Sequence, residues 1–445
     1  MESQPTSKIL VFTPEITPRV VYSFGFIFQT ILGTELIFTT SPDDFKQSTL
    51  PRINYSFTNF SSGLYLRPHS ILFEKNIVDQ DIKTIEFRQL KVFFPSSDDS
   101  FFPFDPFAFS FYAISRYEEY LNENTDNYGR FKDSENILVK LNLHQKPIVD
   151  KIAYWIAEEL IREFPEFRIR QRSFQFVTTI DIDNAWAFRN KSILVSFGGI
   201  AKAIFQGRLH EVKQRLAVTL RLAEDPYDTY KYILKTYKGQ LSRILFFFLL
   251  ADRNRFDKSL SYTNKPFQQL ITSLADVCDV GIHPSYSSSE KPWLFDTEKK
   301  RLEGIINKPV VRSRQHFLKL KFPKTYQTAL KSGITDDYTM GFASLAGFRA
   351  GTCTPFLFFD LSHNRQTELM IHPFQVMDVT LKNYLNLQPQ QAWQLIEDLM
   401  LEIKQVNGTF VSLWHNESLS DSGQWQGWPD VFQQILEKGL ILENE

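Results

Sequence analysis

From residue 174 onward, short apolar runs alternate with segments of helical period, and this rhythm constrains the fold more than any other property of the chain. The runs lie at 174–180, 243–251, 278–283, 309–318, 345–349 and 409–415. The helical segments lie around 197–236 and at 265–276, 296–307, 324–331, 390–405 and 429–438. Strand–helix alternation implies parallel strands, because a parallel pair needs a crossover long enough to carry a helix. This many strand candidates predict an α/β fold built as a barrel or distorted barrel rather than a short open sheet.

Residues 1–170 read as a separate, smaller α/β domain and 171–445 as the barrel, the boundary marked by Pro165 and the basic stretch RIRQR. The first part opens β-α-β, with strands at 8–12 and in ELIFTT around a helix at 19–32. Strand-like GLYLRP, SILFE and LKVFF follow, then a proline-bounded loop at 96–107 and an aromatic-faced helix at 107–121. A helix at 147–164 places Ile148, Ile152, Trp155, Ile156, Leu160 and Ile161 at helical spacing. Its 445 residues suit two domains, and 50 basic against 51 acidic residues leave no chain-wide field favouring nucleic acid or an anionic membrane. Two cysteines, Cys278 and Cys353, provide neither a disulfide framework nor a zinc–thiolate set. The N-terminal residues lack the basic start and apolar core of a signal peptide, and the run ILFFFLLA at 244–251 is too short to span a bilayer. A soluble, cytoplasmic protein is expected.

Several apolar runs end on residues able to bind metal, move a proton or hold an anion, which is where barrel enzymes place their chemistry. Asp181 and Asp183 close FQFVTTIDID; two apart on a strand, they point to the same side. A divalent cation or a shared proton would relieve their repulsion, with one carboxylate binding metal and the other taking a proton from water. Either could instead cap the next segment, as Asn184 could. His283 in GIHPSYSSSE is a metal-ligand candidate or a hydrogen-bonded loop residue. Arg312, Arg314 and His316 share one face if 309–318 is a strand, as a basic face beside an acidic centre or a solvated edge. Arg349 lies in GFRAGT, where Gly347 and Gly351 allow close backbone approach; it could hold a carboxylate or make a structural salt bridge. His415 in LWHN is a general-acid candidate with Asp378 as the carboxylate that orients it. Asp228, in DPYD, reads as a helix cap.

The ordered set TTIDIDNAW, GIHPS, GFRAGT, MD and LWHN resembles the polysaccharide deacetylase superfamily, the NodB-like carbohydrate esterases, over residues 174–440. It looks closest to a bacterial subfamily with an extra N-terminal domain. The resemblance implies an irregular (β/α)7 barrel and a divalent metal, most often zinc, that polarises an acetamide carbonyl and activates water. It implies Asp181 as general base, Asp183 and His283 as metal ligands, and Arg349 holding Asp181. His415 would be the general acid, oriented by Asp378. The implied activity is hydrolysis of an N-acetyl group from a sugar or glycan precursor; without an export signal, a nucleotide-linked or lipid-linked sugar is the expected kind. Two departures stand out. The family's second metal histidine, four residues after the first, is Ser287 here, and His316 is the expected substitute. The family's adjacent Asp pair is spaced as DxD. The Ser287 departure motivates an alternative, a catalytically inactive barrel that binds glycan or a protein partner; a third reading is hydrolysis of a non-sugar amide. The N-terminal domain would restrict the barrel mouth, form a homo-oligomer or bind a partner.

Overall fold

The computed structural model describes residues 7–122, 124–191 and 193–445. Strands β1 (Lys8–Phe12), β2 (Glu35–Thr39), β3 (Arg52–Tyr55) and β4 (Leu64–Leu66) form a parallel sheet in the order β2-β1-β3-β4. The KILVF run of β1 is apolar on both faces because it is central and both faces are covered. Helix Pro18–Gly25 starts where the Thr17 side chain accepts from Val20 N, with Pro18 in the first turn, where its missing N–H costs nothing. A hairpin of β5 (Thr84–Phe87) and β6 (Leu90–Phe93) follows. SILFE, expected as a strand, forms a short 3-10 turn, Ser70–Leu72, whose Ile71 N donates to the His69 ring. The helix expected over 107–121 stops at Ile114. Arg116 there takes a left-handed backbone (φ 54) and turns its buried guanidinium onto Glu118 and Glu119. Helix Ile148–Glu163 lies where the periodicity puts it.

The second sheet has nine strands. They are β7 (Gln175–Ile182), β8 (Ile244–Phe248), β9 (Asp279–Ile282), β10 (Arg312–Ser313), β11 (Asp336–Asp337), β12 (Phe356–Asp360), β13 (Arg365–Ile371), β14 (Val376–Met377) and β15 (Thr409–His415). The order is β12-β13-β11-β10-β9-β8-β7-β15-β14, parallel throughout except for β12–β13. The fold is therefore mixed α/β; among the described residues the end strands β12 and β14 do not pair with each other.

The period-two alternation sorts the sheet into two faces. Phe176, Ile180, Ile182, Phe246, Phe248 and Phe410 join the main core beneath the helices. Leu245, Phe247, Val411 and Leu413 form a second core with Tyr338, Phe374 and Met377, and Val177 packs on it. Asp181 alternates with Val177 and so belongs to this inner face.

Three expectations shift. The 309–318 run pairs only over Arg312–Ser313, because Phe317 and Leu318 have left-handed backbone (φ 61 and 54) and turn the chain away. The 345–349 run is not a strand; the ladder is extended instead by β12, β13 and β14. The region 197–236 is divided into helices Ile193–Phe205, Leu209–Thr219 and Tyr230–Thr236. Buried polar contacts tie the N-terminal residues to this sheet. Asp133 accepts from the N–H groups of Ala343 and Ser344 at 3.1 and 2.7 Å, and Tyr22 donates to the Leu357 carbonyl at 2.6 Å. Both cysteines are buried and free, and no described helix is long and apolar enough to cross a membrane.

Candidate active site

Five of the expected residues meet at the C-terminal ends of β7, β9, β10 and β15. Asp181 and Asp183 leave β7 on the inner side, and their carboxylates face His283 Nε2 at 3.6 and 3.3 Å. His316, in the turn after β10, sets Nε2 3.3 Å from the other oxygen of Asp183. His415, closing β15, sets Nε2 3.9 Å from that oxygen. One ligand atom each from Asp183, His283 and His316 lie within 4.8 Å of one another.

The tautomers follow from the partners. His283 Nδ1 lies 2.6 Å from the Arg314 carbonyl, which can only accept, so Nδ1 carries the proton and Nε2 turns toward the carboxylates. His316 Nδ1 likewise donates to Asp257 at 2.8 Å, and His415 Nδ1 to Asp378 at 2.9 Å. Asp378 is also clamped by the N–H of His415 at 2.7 Å and of Val379 at 2.6 Å, so it is a fixed orienter. A carboxylate or carbonyl thus stands behind each imidazole, the arrangement that fixes ring orientation in metal sites.

The field here favours positive charge. Burial opposes charging His316, but Asp183 and Asp257 outweigh it and push its pKa up to about 9. Burial likewise opposes charge on His415, and Asp378 outweighs it to give about 10. Asp183 is held well below the usual carboxylate range: burial works against its charge, but His316 and His283 prevail. The buried Asp183 Oδ1 has no hydrogen-bond partner. Two imidazole nitrogens and one carboxylate with an unsatisfied oxygen fit a zinc-type divalent ion.

Arg349 does not reach Asp181. It pairs with Glu119 at 2.7 Å and donates to the Gly341 carbonyl at 3.0 Å. The glycines of its motif serve docking of the N-terminal part: Phe348 N donates to the His144 carbonyl, and a Cβ on Gly347 (φ 136) would collide with that oxygen. The fully buried Arg314 holds Asp181 instead. Its Nη1 contacts Asp181 Oδ1 at 3.0 Å and Thr179 Oγ1 at 2.6 Å, and its Nε the Tyr338 carbonyl at 2.9 Å. Arg312 pairs with Asp279 at 3.1 Å on the neighbouring strand. Ser287 lies in the 3-10 turn Tyr286–Ser289, outside the metal-type cluster. Asp228 pairs with Arg189 and caps no helix; helix Tyr230–Thr236 starts at Thr229 without a side-chain cap, and Asp225 accepts from the N–H groups of Ala187, Phe188 and Arg189.

A cavity of about 490 Å³ opens over the cluster, within the size range of small-molecule sites. Its walls include Phe317, Tyr384 and, from the N-terminal part, Tyr128 and Arg130. Arg130 donates to the Phe317 carbonyl at 3.2 Å and to Tyr384 Oη at 3.0 Å. Asp257, Tyr128 and Arg130 carry no sequence signal of their own: Asp257 sits in the irregular loop after β8, and the other two are far from the strand-end motifs along the chain.

Residues 9–165 match a family model described as "Family of unknown function (DUF7033)". No curated protein matches the chain. Among solved structures, a candidate polysaccharide deacetylase from Mycobacterium smegmatis is similar at 13% identity, over 60% of this chain and 84% of that one, with a TM-score of 0.40. A CE4-family pseudoenzyme from Bacillus anthracis is similar at 11% identity, over 60% and 62%, with a TM-score of 0.31. The allantoinase Puue is similar at 9% identity, over 61% and 85%, with a TM-score of 0.38.

Proposed function

We propose that the chain is a metal-dependent hydrolase that removes an acetyl group from an N-acetylated sugar or glycan precursor, built as an irregular (β/α)7 barrel behind an N-terminal domain that ends near residue 170. The observation that carries the reading is the convergence of His283 and His316, each locked through Nδ1, on Asp183, whose buried Oδ1 lacks any partner. Asp183, His283 and His316 would hold the ion, with His316 in the place of the histidine that Ser287 replaces. A bound divalent ion, zinc by its donor set, would polarise the acyl carbonyl and lower the pKa of water.

The remaining roles follow from the side chains. Arg314 occupies Asp181 Oδ1, so Oδ2 is the oxygen turned toward His283, suited to take a proton from water. Asp378 raises the pKa of His415 and fixes its ring with Nε2 turned toward Asp183, which suits it to deliver a proton to a departing amine. Tyr128, Phe317 and Tyr384 offer ring faces at the mouth for the C–H face of a sugar. Arg349 has a structural role in this reading.

The test is metal content by elemental mass spectrometry, with hydrolysis of acetylated sugars, for wild type, Asp183→Ala and Asp181→Asn. Expected are a stoichiometric divalent ion in wild type, its loss in Asp183→Ala, and retained metal without turnover in Asp181→Asn. A wild type without metal after addition of zinc, cobalt or nickel would overturn the reading in favour of a glycan-binding barrel without catalysis.

A further inference from the structure

The chain's charge balance conceals a local exception. Residues 189–224 contain seven Lys or Arg and two Glu, in a chain of net charge −1. Most of this stretch is a hairpin of helices Ile193–Phe205 and Leu209–Thr219, joined through Gly207 (φ 68). Small groups make the contact within it. Ala203 and Val218 are buried, and a Cβ on Gly199 would run into the guanidinium of Arg215, which Glu211 holds at 2.7 Å.

The large apolar side chains point outward. Phe197, Ile204 and Phe205 recur at i, i+7 and i+8 and are 68, 56 and 93% exposed. Leu209, Leu216 and Leu220 recur at i, i+7 and i+11 and are 63, 45 and 65% exposed. At helical period each set falls on one face, so both helices carry an exposed apolar stripe. Scattered exposed apolar residues need no explanation; an exposed apolar stripe on each of two paired helices does.

The hairpin is rooted at the candidate site. It leaves the chain shortly after Asp183, and Asp225 closes its base by accepting from Ala187, Phe188 and Arg189. Asn416, next to His415, donates to the carbonyls of Asn184 and Tyr227 at 3.1 and 2.9 Å, binding both stems.

We infer that this hairpin is a membrane-surface anchor. Its apolar stripes enter the boundary between headgroups and acyl chains of an anionic bilayer, while the exposed Lys213 and Arg221 meet lipid phosphates; Arg208 and Arg215 are both held by Glu211. The excess of cations selects an anionic bilayer over an uncharged partner, and the lack of a membrane-spanning helix among the described residues keeps the contact at the surface. The inference does not depend on hydrolysis.

The test is co-sedimentation of the full chain with vesicles of phosphatidylcholine, alone or mixed with phosphatidylglycerol, at low and high salt. Binding to the mixed vesicles, weakened by salt, is expected. The combined variant Phe205→Ser, Leu209→Ser, Leu220→Ser abolishes it without changing Tm, because those side chains are exposed. Lys213→Ser with Arg221→Ser weakens it about fivefold per cation removed, the equivalent of about 1 kcal/mol each. No binding to mixed vesicles, or wild-type binding by either variant, overturns the inference. So does a wild-type dimer in sedimentation velocity that the apolar variant dissociates while neither protein binds vesicles.

Discussion

Replacing Asp257 by Asn isolates the carboxylate that holds His316. Asp257 is fully buried, and its Oδ1 accepts from His316 Nδ1 and from Tyr286 N, each at 2.8 Å. Its Oδ2 accepts from Asn254 Nδ2 at 2.7 Å. Asn254 cannot turn its amide over, because its Oδ1 already accepts from Phe256 N at 2.8 Å and Asp257 N at 2.9 Å. An asparagine at 257 that keeps its oxygen toward His316 sets its NH2 against the NH2 of Asn254. That mismatch buries unsatisfied donors at a cost of about 1–3 kcal/mol. Losing the charge behind the imidazole lowers metal affinity about 10–100-fold, roughly 1.4–2.7 kcal/mol. Adding Asn254→Asp again sets a donor against an acceptor, but moves the charge off the group that touches His316. The double variant therefore regains stability and not metal affinity. Denaturant unfolding of metal-free protein reads the first quantity and chelator competition the second. Unchanged metal affinity in Asp257→Asn, or recovery of both quantities together in the double variant, refutes an orienting role for this carboxylate.

Three further outcomes are expected. His316→Ala lowers metal affinity more than Ser287→Ala does; the reverse order in chelator competition removes His316 as the substitute ligand. Arg349→Met destabilises by about 3–5 kcal/mol in denaturant unfolding, the cost of breaking a buried ion pair, and leaves metal affinity intact; a larger loss of metal than of stability returns Arg349 to the site. Burial pushes Glu298, which accepts from Ser285 N at 2.8 Å, from its ordinary 4.5 up to about 7. Because the folded pKa is the higher, the protein binds more protons folded than unfolded across that window, and stability falls as pH rises through it. Glu298→Gln keeps the acceptor without the charge, so its advantage over wild type grows from acid to neutral pH; a pH-independent difference in unfolding free energy refutes this.

What was legible in the sequence follows the physics of each element. β7, β8 and β15 were legible because they are five to eight residues long and apolar enough to show their burial. The two-residue strands β10, β11 and β14 are too short to leave a period in the sequence. Asp181, Asp183, His283 and His415, singled out by the strand-end rule, come together in the structure because each ends a run that forms a strand or borders one. The rule misplaced Arg349 because GFRAGT is shaped by a crossing backbone, and glycines kept for docking look the same in sequence as glycines kept for a ligand. Asp257, Tyr128 and Arg130 reach the site only through tertiary packing, which no local period records.

The histidine that joins His283 at Asp183 and the arginine that holds Asp181 come from one segment. Arg314 gives its guanidinium to Asp181 and its carbonyl to His283 Nδ1, and two residues on His316 faces Asp183. Residues 314–316 thus set the orientation of the base candidate and of two ligand candidates, and a shift of this backbone would move all of them together. The segment can serve this way because β10 ends at Ser313 and the chain turns through Phe317 and Leu318, both left-handed. Such backbone costs about 1–3 kcal/mol per residue and persists only where its surroundings hold it. Part of that hold comes from the N-terminal residues: Arg130 donates to the Phe317 carbonyl at 3.2 Å, and the Tyr128 ring lies 5.1 Å from the Phe317 ring. Arg130→Ala should therefore loosen His316 and weaken metal binding through a residue that touches no ligand. Unchanged affinity in chelator competition would leave the N-terminal part as a wall of the cavity and no more.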